Sequence, residues 1–316
     1  MTINRGRIVV VGGMNMDIVV EAKEMPGIGE YAYGDALHFI HGGNGLNQAV
    51  AAARLGSNVE MIGFIGDDAF GKDLVQFLKK EHVNSRNVKT IINTNSGSVL
   101  FLLTNKVERH IVLPGSNLKA GVKDLPKYEF LKSDIVISQL TIQQDVIEHV
   151  FGDAKKAGAT TILNLFPNYD VTKKVLELSD YIILNEVELA FRTGDKEFIN
   201  SQHKDLQMDN AAVLRRVKQF RTNDKQTFIV TLAERGVIGI KGNGITKIDG
   251  IKVKFADATG AGDCFLGAFA TGLAEKMPFN TALGFANCAA ALSVQKVGTT
   301  TSFPRREDVE NLAKRQ

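Results

Sequence analysis

Residues 255–269 read FADATGAGDCFLGAF. Two aspartates, Asp257 and Asp263, flank five small residues, and an apolar run follows. Gly260 and Gly262 permit backbone geometries that other residues resist. The run from Ala261 to Ala274 carries a helical pattern that ends near AEKMP, so the turn feeds a helix N-terminus. Such a terminus has unpaired N–H groups and roughly half a positive charge, which makes it an anion site. Asp263 falls in the first turn, beside whatever anion binds. Phosphoryl transfer needs that arrangement: developing charge must be stabilised, and a base must take the proton of the attacking hydroxyl. The plainer reading is that Asp263 caps the helix, which aspartate does well.

Upstream of this turn, short β-branched runs recur at RIVVVGG, 58–66, 134–140, 160–166, 181–185 and 227–233. Helical patterns alternate with them at 45–55, 70–81, 143–157, 171–178 and 210–222. That alternation predicts βαβ units, a mostly parallel sheet and helices on both of its faces. Residues 16–41 and 97–113 break the pattern: both read as β without crossovers. They are expected to form a small separate sheet that covers a site as a lid. Such a sheet leaves one face with little to pack on, which invites a homodimer. The polar stretch 195–210 reads as an exposed loop.

Composition narrows the function classes. The chain has 316 residues, enough for two domains or one large one, with 44% hydrophobic and 23% charged residues. Lys and Arg exceed Asp and Glu by 38 to 35, a net +3, too small to imply a nucleic-acid or membrane surface. There is no Trp to form a stacking platform. Cys264 and Cys288 lie in small apolar runs and make no disulfide framework. No apolar run reaches the roughly 18 residues of a membrane span, and the N-terminus carries no signal-like segment. The expectation is a cytoplasmic protein.

A second glycine cluster, HGGNGLNQAVAAARLG (41–56), precedes an alanine-rich helix that stops at Gly56. A glycine pair before a helix is weak by itself, because tight helix-on-sheet packing also needs it. Together, however, DATGAGDCFLGAF and GGxGxNQAVAAARLG resemble the two signatures of the ribokinase-like (PfkB) family of sugar and nucleoside kinases. The resemblance runs from about residue 7 to about residue 310 with motif order kept. It implies a ribokinase-like three-layer α/β fold over the whole chain, 1–316, and ATP-dependent phosphorylation of a sugar hydroxyl, most simply a primary one.

Residue roles follow from the same resemblance. Asp263 is the expected base, and the N–H groups of Gly260, Ala261 and Gly262 form the anion hole. GGMNMD (12–17) resembles the first strand-end motif, so Asn15, Asp17, Gly43, Asn44, Asn47 and Thr141 fall on the sugar. Buried sugar hydroxyls each need such a partner. NEVEL supplies Asn185 and Glu188, with Glu188 near Mg²⁺ through water; its bland reading is a capped helix start. TLAERG places Thr231, Glu234 and Gly236 at the nucleotide, with Ala233 where the family has glycine. Asn287 joins them. SVQKVGTTTS resembles a monovalent-cation loop, so Asp257, Thr259, Ser293, Lys296, Gly298 and Ser302 would hold K⁺, largely through carbonyls.

Two positions depart from the pattern of ribokinases proper. Asn44 replaces a lysine of the second signature, and Thr141 stands where a glutamate usually follows the QL strand end. Both fall on the sugar face and put D-ribose in question, since hydrogen-bonding sites reject sugars that leave buried groups unpaired. Another pentose, a deoxy sugar, a hexose or a nucleoside remain open. GDDAFGKD (66–73) almost spells a P-loop, but Asp73 occupies the place of its Ser or Thr. Asp67 and Asp68 read instead as helix-start acids and Lys72 as exposed. A non-catalytic sugar- or nucleotide-binding regulator is the rival from another class, because fold alone never decides activity; the intact turn with Asp263 argues against it. A Rossmann dehydrogenase is disfavoured further, because VVVGGMNMD lacks the full glycine fingerprint.

Overall fold

The computed structural model describes residues 6–104, 108–166, 170–195 and 208–316. Most of the polar stretch 195–210 lies outside these, so its reading as a loop has no counterpart here.

Strand β1 (Ile8–Val11) shows why a continuous apolar run becomes a central strand. All four side chains are buried, and they alternate between two cores: Ile8 and Val10 face one, Val9 and Val11 the other. A strand with period two and helices on both faces must be apolar throughout. The same division holds in β10 (Tyr181–Asn185) and β11 (Thr227–Thr231). With β4 (Val59–Gly66), β5 (Asn84–Ile91), β8 (Ile135–Gln139), β9 (Thr160–Asn164), β12 (Gly236–Lys241) and β13 (Gly244–Asp249) they form a nine-stranded sheet. Its order is β13-β12-β11-β10-β9-β8-β1-β4-β5. Pairing is parallel from β5 to β11 and antiparallel for the last two strands.

One face carries α1 (Asn44–Arg54) and α2 (Ala69–Lys80); α3 (Ser116–Lys119) is a single turn leading out of the smaller sheet. The opposite face carries α4 (Gln144–Ala157), α5 (Lys173–Glu177), α6 (Glu186–Arg192) and α7 (Asn210–Phe220). The chain then returns to the first face with α8 (Ala261–Ala274), α9 (Phe279–Ser293) and α10 (Arg306–Ala313). Helix α8 spans the residues its periodicity predicts. It is buried along nearly its whole length, which accounts for its alanines, glycines and phenylalanines.

The two β-only regions form a separate four-stranded sheet, β3-β2-β6-β7, from β2 (Asn15–Ala22), β3 (Gly34–Gly42), β6 (Gly97–Leu103) and β7 (Glu108–Leu113). Strands β2 and β6 run parallel, and the outer strands run antiparallel to them. The near-P-loop resolves as turn chemistry. Asp68 is the N-cap of α2, accepting from Gly71 N at 2.8 Å, while Asp67 accepts from the backbone of Asn93 and Thr94; Lys72 is exposed. Only one of the two acids therefore caps the helix, and the other closes the turn after β5.

Candidate active site

The parallel strands end on polar residues. Gln139, Asn164, Asn185 and Thr231 are the last residues of β8, β9, β10 and β11. Open α/β sheets bind ligands at such carboxyl ends. Above them the N-termini of α1 and α8 converge. Gly267 on α8 makes this possible, since a Cβ there would lie 2.7 Å from Ala51 Cβ and 2.8 Å from Gln48 O. The close packing carries Asp263 of α8 onto the first turns of α1.

Asp263 is buried, 5% exposed, and its carboxylate is held by amides. Asn44 Nδ2 reaches both oxygens at 3.2 Å, Asn47 Nδ2 donates to Oδ2 at 3.0 Å, and Gln48 Nε2 donates to Oδ1 at 2.8 Å. Asp263 does not cap its own helix; the N-cap is Gly260, in the left-handed conformation with φ 78°. Burial pushes the Asp263 carboxyl up and the three amides pull it back down. A base needs that compromise: ionised enough to accept a proton, desolvated enough to want one.

The sugar-side residues converge on this carboxylate. Asn15 Oδ1 accepts from Asn117 Nδ2 at 2.8 Å, and Asn117 also bonds both backbone atoms of Met14. Asn117, at the end of the path out of β7, escaped the sequence reading, because a lone Asn in a turn carries no motif. Asp17 is pushed up to about 7, first by burial and then by the charge of Asp263. Gly43 has φ 87°, and a Cβ there would sit 2.7 Å from Asn15 N, so glycine alone lets the two strand ends meet. Asn47 Oδ1 and Thr141 Oγ1 are buried without a hydrogen-bond partner. Buried polar atoms rarely stay unpaired, and hydroxyls of a bound polyol would satisfy both.

On the other side of the glycine turn lies a cleft of about 600 Å³. Its floor and walls include Ile251, Val253, Phe255, Phe265, Ala290 and Val294, with Thr231, Glu234, Gly236 and Asn287 among its polar and backbone lining. Asn287 Nδ2 donates to Asp249 O at 3.0 Å. An apolar cleft with a few polar side chains suits a purine. Ala261 and Gly262 close the end nearest Asp263. A Cβ on Gly262 meets nothing within 4 Å, so packing does not demand glycine there and the space above the turn is open. The Ala261 N–H is spent on Ala258 O at 3.1 Å, so of the three N–H groups expected in the anion hole this one is already engaged. Ala233, in the family's glycine position, has φ 50° and so takes up the conformation that glycine would adopt.

Asn185 and Glu188 form a reciprocal capping box: Glu188 N donates to Asn185 Oδ1 at 2.8 Å, and Asn185 N to Glu188 Oε2 at 2.7 Å. The bland reading of NEVEL is thus satisfied, and the functional one is not displaced. Glu188 is 7% exposed and is pushed up to about 7, by burial first and in part by Asp263. Its second oxygen is uncommitted to the cap and fits a water on a hard divalent cation.

Among the residues expected around K⁺, Asp257 organises the loop. Its Oδ1 accepts from Thr259 N and Oγ1, and its Oδ2 from Gly298 N at 2.8 Å. Ser293 and Ser302 hydroxyls donate to the carbonyls of Ala290 and Thr299, and Lys296 is exposed. Arg54 of α1 donates to the carbonyls of Thr300 and Phe303 and forms a bidentate pair with Glu81. No cluster of three or more His, Cys, Asp or Glu able to hold a metal occurs among the described residues. A monovalent cation bound by carbonyls needs none.

A buried carboxylate at a helix N-terminus, set between a hollow lined by amides and a carboxylate and an apolar cleft, is the arrangement of a small-molecule kinase. The chain belongs to the pfkB family of carbohydrate kinases, whose model matches residues 5–306. It is 34% identical to the ribokinase of Lactococcus lactis and 31% to that of Schizosaccharomyces pombe, each alignment covering 96% of both chains. Its fold matches the structure of Arabidopsis thaliana ribokinase complexed with ribose and ATP at a TM-score of 0.86, with 27% identity, covering 98% of this chain and 99% of that one. The chain is an ATP-dependent sugar kinase with the ribokinase-like three-layer fold. No described helix is long and apolar enough to cross a membrane.

Proposed function

We propose that the chain transfers the γ-phosphoryl group of ATP to a primary hydroxyl of a small sugar, with Asp263 as base. The observation that carries this reading is the Asp263 carboxylate, buried yet held by three amides, at the mouth of an open Gly262 turn. The sugar lies against Asn15, Asp17, Gly43, Asn44, Asn47 and Thr141. Its hydroxyl loses a proton to Asp263 as the oxygen bonds phosphorus. The turn from Gly260 to Gly262 and the N-terminus of α8 stabilise the transferring phosphoryl charge. ATP occupies the cleft bounded by Thr231, Glu234, Gly236 and Asn287. Mg²⁺, held near Asn185 and Glu188 through water, would neutralise phosphate charge. K⁺ at the loop of Asp257, Thr259, Ser293, Lys296, Gly298 and Ser302 would stiffen the same turn. The small sheet closes over the sugar and excludes water, which suppresses ATP hydrolysis.

The nearby relatives are ribokinases, and ribose is the first acceptor to try. Asn44 and Thr141 are both short and neutral, so an acceptor with fewer charged contacts, such as a deoxypentose, fits this pocket as well. The single-kinase unit 1–316 pairs with a second copy through its lid in this proposal. Phe39, Ile18, Leu100 and Ile111 lie directly opposite one another across the four strands, an unbroken apolar row whose ends, Phe39 and Ile111, are 54% and 53% exposed. The test of the reaction is ADP release from Mg-ATP across pentoses, deoxy sugars, hexoses and nucleosides, with Asp263→Asn alongside. One acceptor should respond, and the variant should lose on the order of a hundredfold or more in kcat. A variant that keeps most of its turnover would remove Asp263 from the base role.

A further inference from the structure

Gln48 is not in the cleft, yet it governs the carboxylate that is. It is 0% exposed, so it touches no substrate. Its Nε2 donates to Asp263 Oδ1 at 2.8 Å and to Asn164 Oδ1 at 3.0 Å, and its Oε1 accepts from Gln139 Nε2 at 2.6 Å. Both N–H groups of that amide are in use, and its oxygen has a donor.

The orientation of the amide is dictated from the sheet. Asn164 Nδ2 donates to the backbone carbonyls of Leu165 and Ile183, both at 3.2 Å. Carbonyls can only accept, so the nitrogen of Asn164 must face them and its oxygen must face Gln48. Gln139 Nε2 donates to the other side of Gln48, but its own Oε1 is buried without a partner, so Gln139 follows the orientation and does not set it. Asn164 demands one orientation, with the Gln48 nitrogen toward Asp263. The flipped amide would set oxygen against oxygen at Asn164 and at Asp263 alike. Gly12 makes room for the chain: a Cβ there would lie 1.9 Å from Gln139 Oε1.

We propose that Gln48 is a positioning residue for Asp263: its amide, set by Asn164, holds Oδ1 while Asn47 holds Oδ2, which leaves to the reaction the side of the carboxylate that Asn44 bridges. This rests on Asp263 being the base. On that footing the sugar O–H bond breaks as its oxygen bonds the γ-phosphorus, and the proton passes to the side of the Asp263 carboxylate that Asn44 releases. The phosphorus–oxygen bond to the β-phosphate breaks with its electrons leaving on ADP. Asn44, whose bonds to both oxygens are the longest at 3.2 Å, yields its place to the incoming hydroxyl.

The prediction is a shifted titration with unchanged sugar affinity. Losing a donor to the ionised form raises the pKa of a carboxylate. In Gln48→Met the acid limb of kcat, read at saturating sugar and ATP, should move up by about one pH unit, with kcat down roughly tenfold or more and sugar KM within about threefold. Asn164→Ala, which leaves Gln48 in place but unoriented, should move the limb the same way by less. If Gln48→Met does not fold, Asn164→Ala alone decides. A limb that stays put while kcat falls, or a KM that rises in step with the loss, would show a merely structural role and overturn the proposal. Asp263→Asn separates the two failures. An active Asp263→Asn refutes the base and the relay with it; a silent one beside an unmoved limb refutes the relay alone.

Discussion

Gly267 joins packing to chemistry, and adding one methyl group there tests that link. The Cβ of Gly267→Ala would stand 2.7 Å from Ala51 Cβ, 2.8 Å from Gln48 O and 2.9 Å from Ala52 N, where ordinary contact begins at 3.4 Å. Two of these neighbours are backbone atoms of α1, so α1 must retreat from α8 by about 0.7 Å. In an open helix, alanine for glycine gains about 1 kcal/mol. Overpacking a tight core costs about 1–3 kcal/mol. The expected net is a loss of about 1 kcal/mol and a fall in Tm of roughly 2–4 °C. Retreat of α1 also stretches the 2.8 Å bond from Gln48 to Asp263 toward the limit of a hydrogen bond. Since a misplacement of about 1 Å can cost a hundredfold, kcat should fall roughly tenfold. Gly272→Ala is the control. Its Cβ would lie 2.8 Å from Ala282 Cβ on α9, away from the carboxylate, so it should lose stability and keep kcat. Thermal melts and saturation kinetics on both variants decide the matter. A Gly267→Ala protein as stable and as fast as the parent would refute the claim that this contact sets the base.

Four further outcomes follow from the structure. Asp17 sits near 7 because it is buried beside Asp263, so sugar KM should fall as pH rises through about 7, and Asp17→Asn should flatten that dependence. With Asp17 and Glu188 both raised above the usual carboxylate range, the folded chain holds protons that the unfolded chain has released. Stability should therefore decline from about pH 4 to pH 7, as melts across that window will show. Asp257→Asn should lose any rate advantage of K⁺ over Na⁺, because an amide cannot accept from both Thr259 and Gly298 as the carboxylate does; equal rates in both salts for the parent would count against the cation loop. Ala233→Gly should raise stability by about 0.5 kcal/mol, since relief of a left-handed alanine exceeds the added freedom of the unfolded chain, and denaturant titration reads it directly.

The sequence disclosed what its periodicities and turns encode. Strands such as Ile8–Val11, buried on both faces, and helix Ala261–Ala274 appear where their patterns place them, because burial alone sets those patterns. Strands Gly236–Lys241 and Gly244–Asp249 and helix Phe279–Ser293 were not read. Strand Gly236–Lys241 is buried at five of its six residues but interrupted by glycine, Gly244–Asp249 is mostly exposed, and the helix is apolar almost all round, so none shows a clean period. The glycine turns were legible because a positive φ or a close approach excludes other residues at Gly43 and Gly260. The amides beneath them were not. Gln48, Asn117, Gln139 and Asn164 come from α1, α3, β8 and β9, and nothing in their spacing marks them as neighbours. For Asn164 and Gln48 the constraint is visible only in three dimensions: a buried amide nitrogen must face an acceptor. Starting from two fixed backbone carbonyls, that rule propagates without ambiguity through Asn164 and Gln48 to Asp263. The orientation of the carboxylate is therefore a property of the sheet as much as of the glycine turn that announces it.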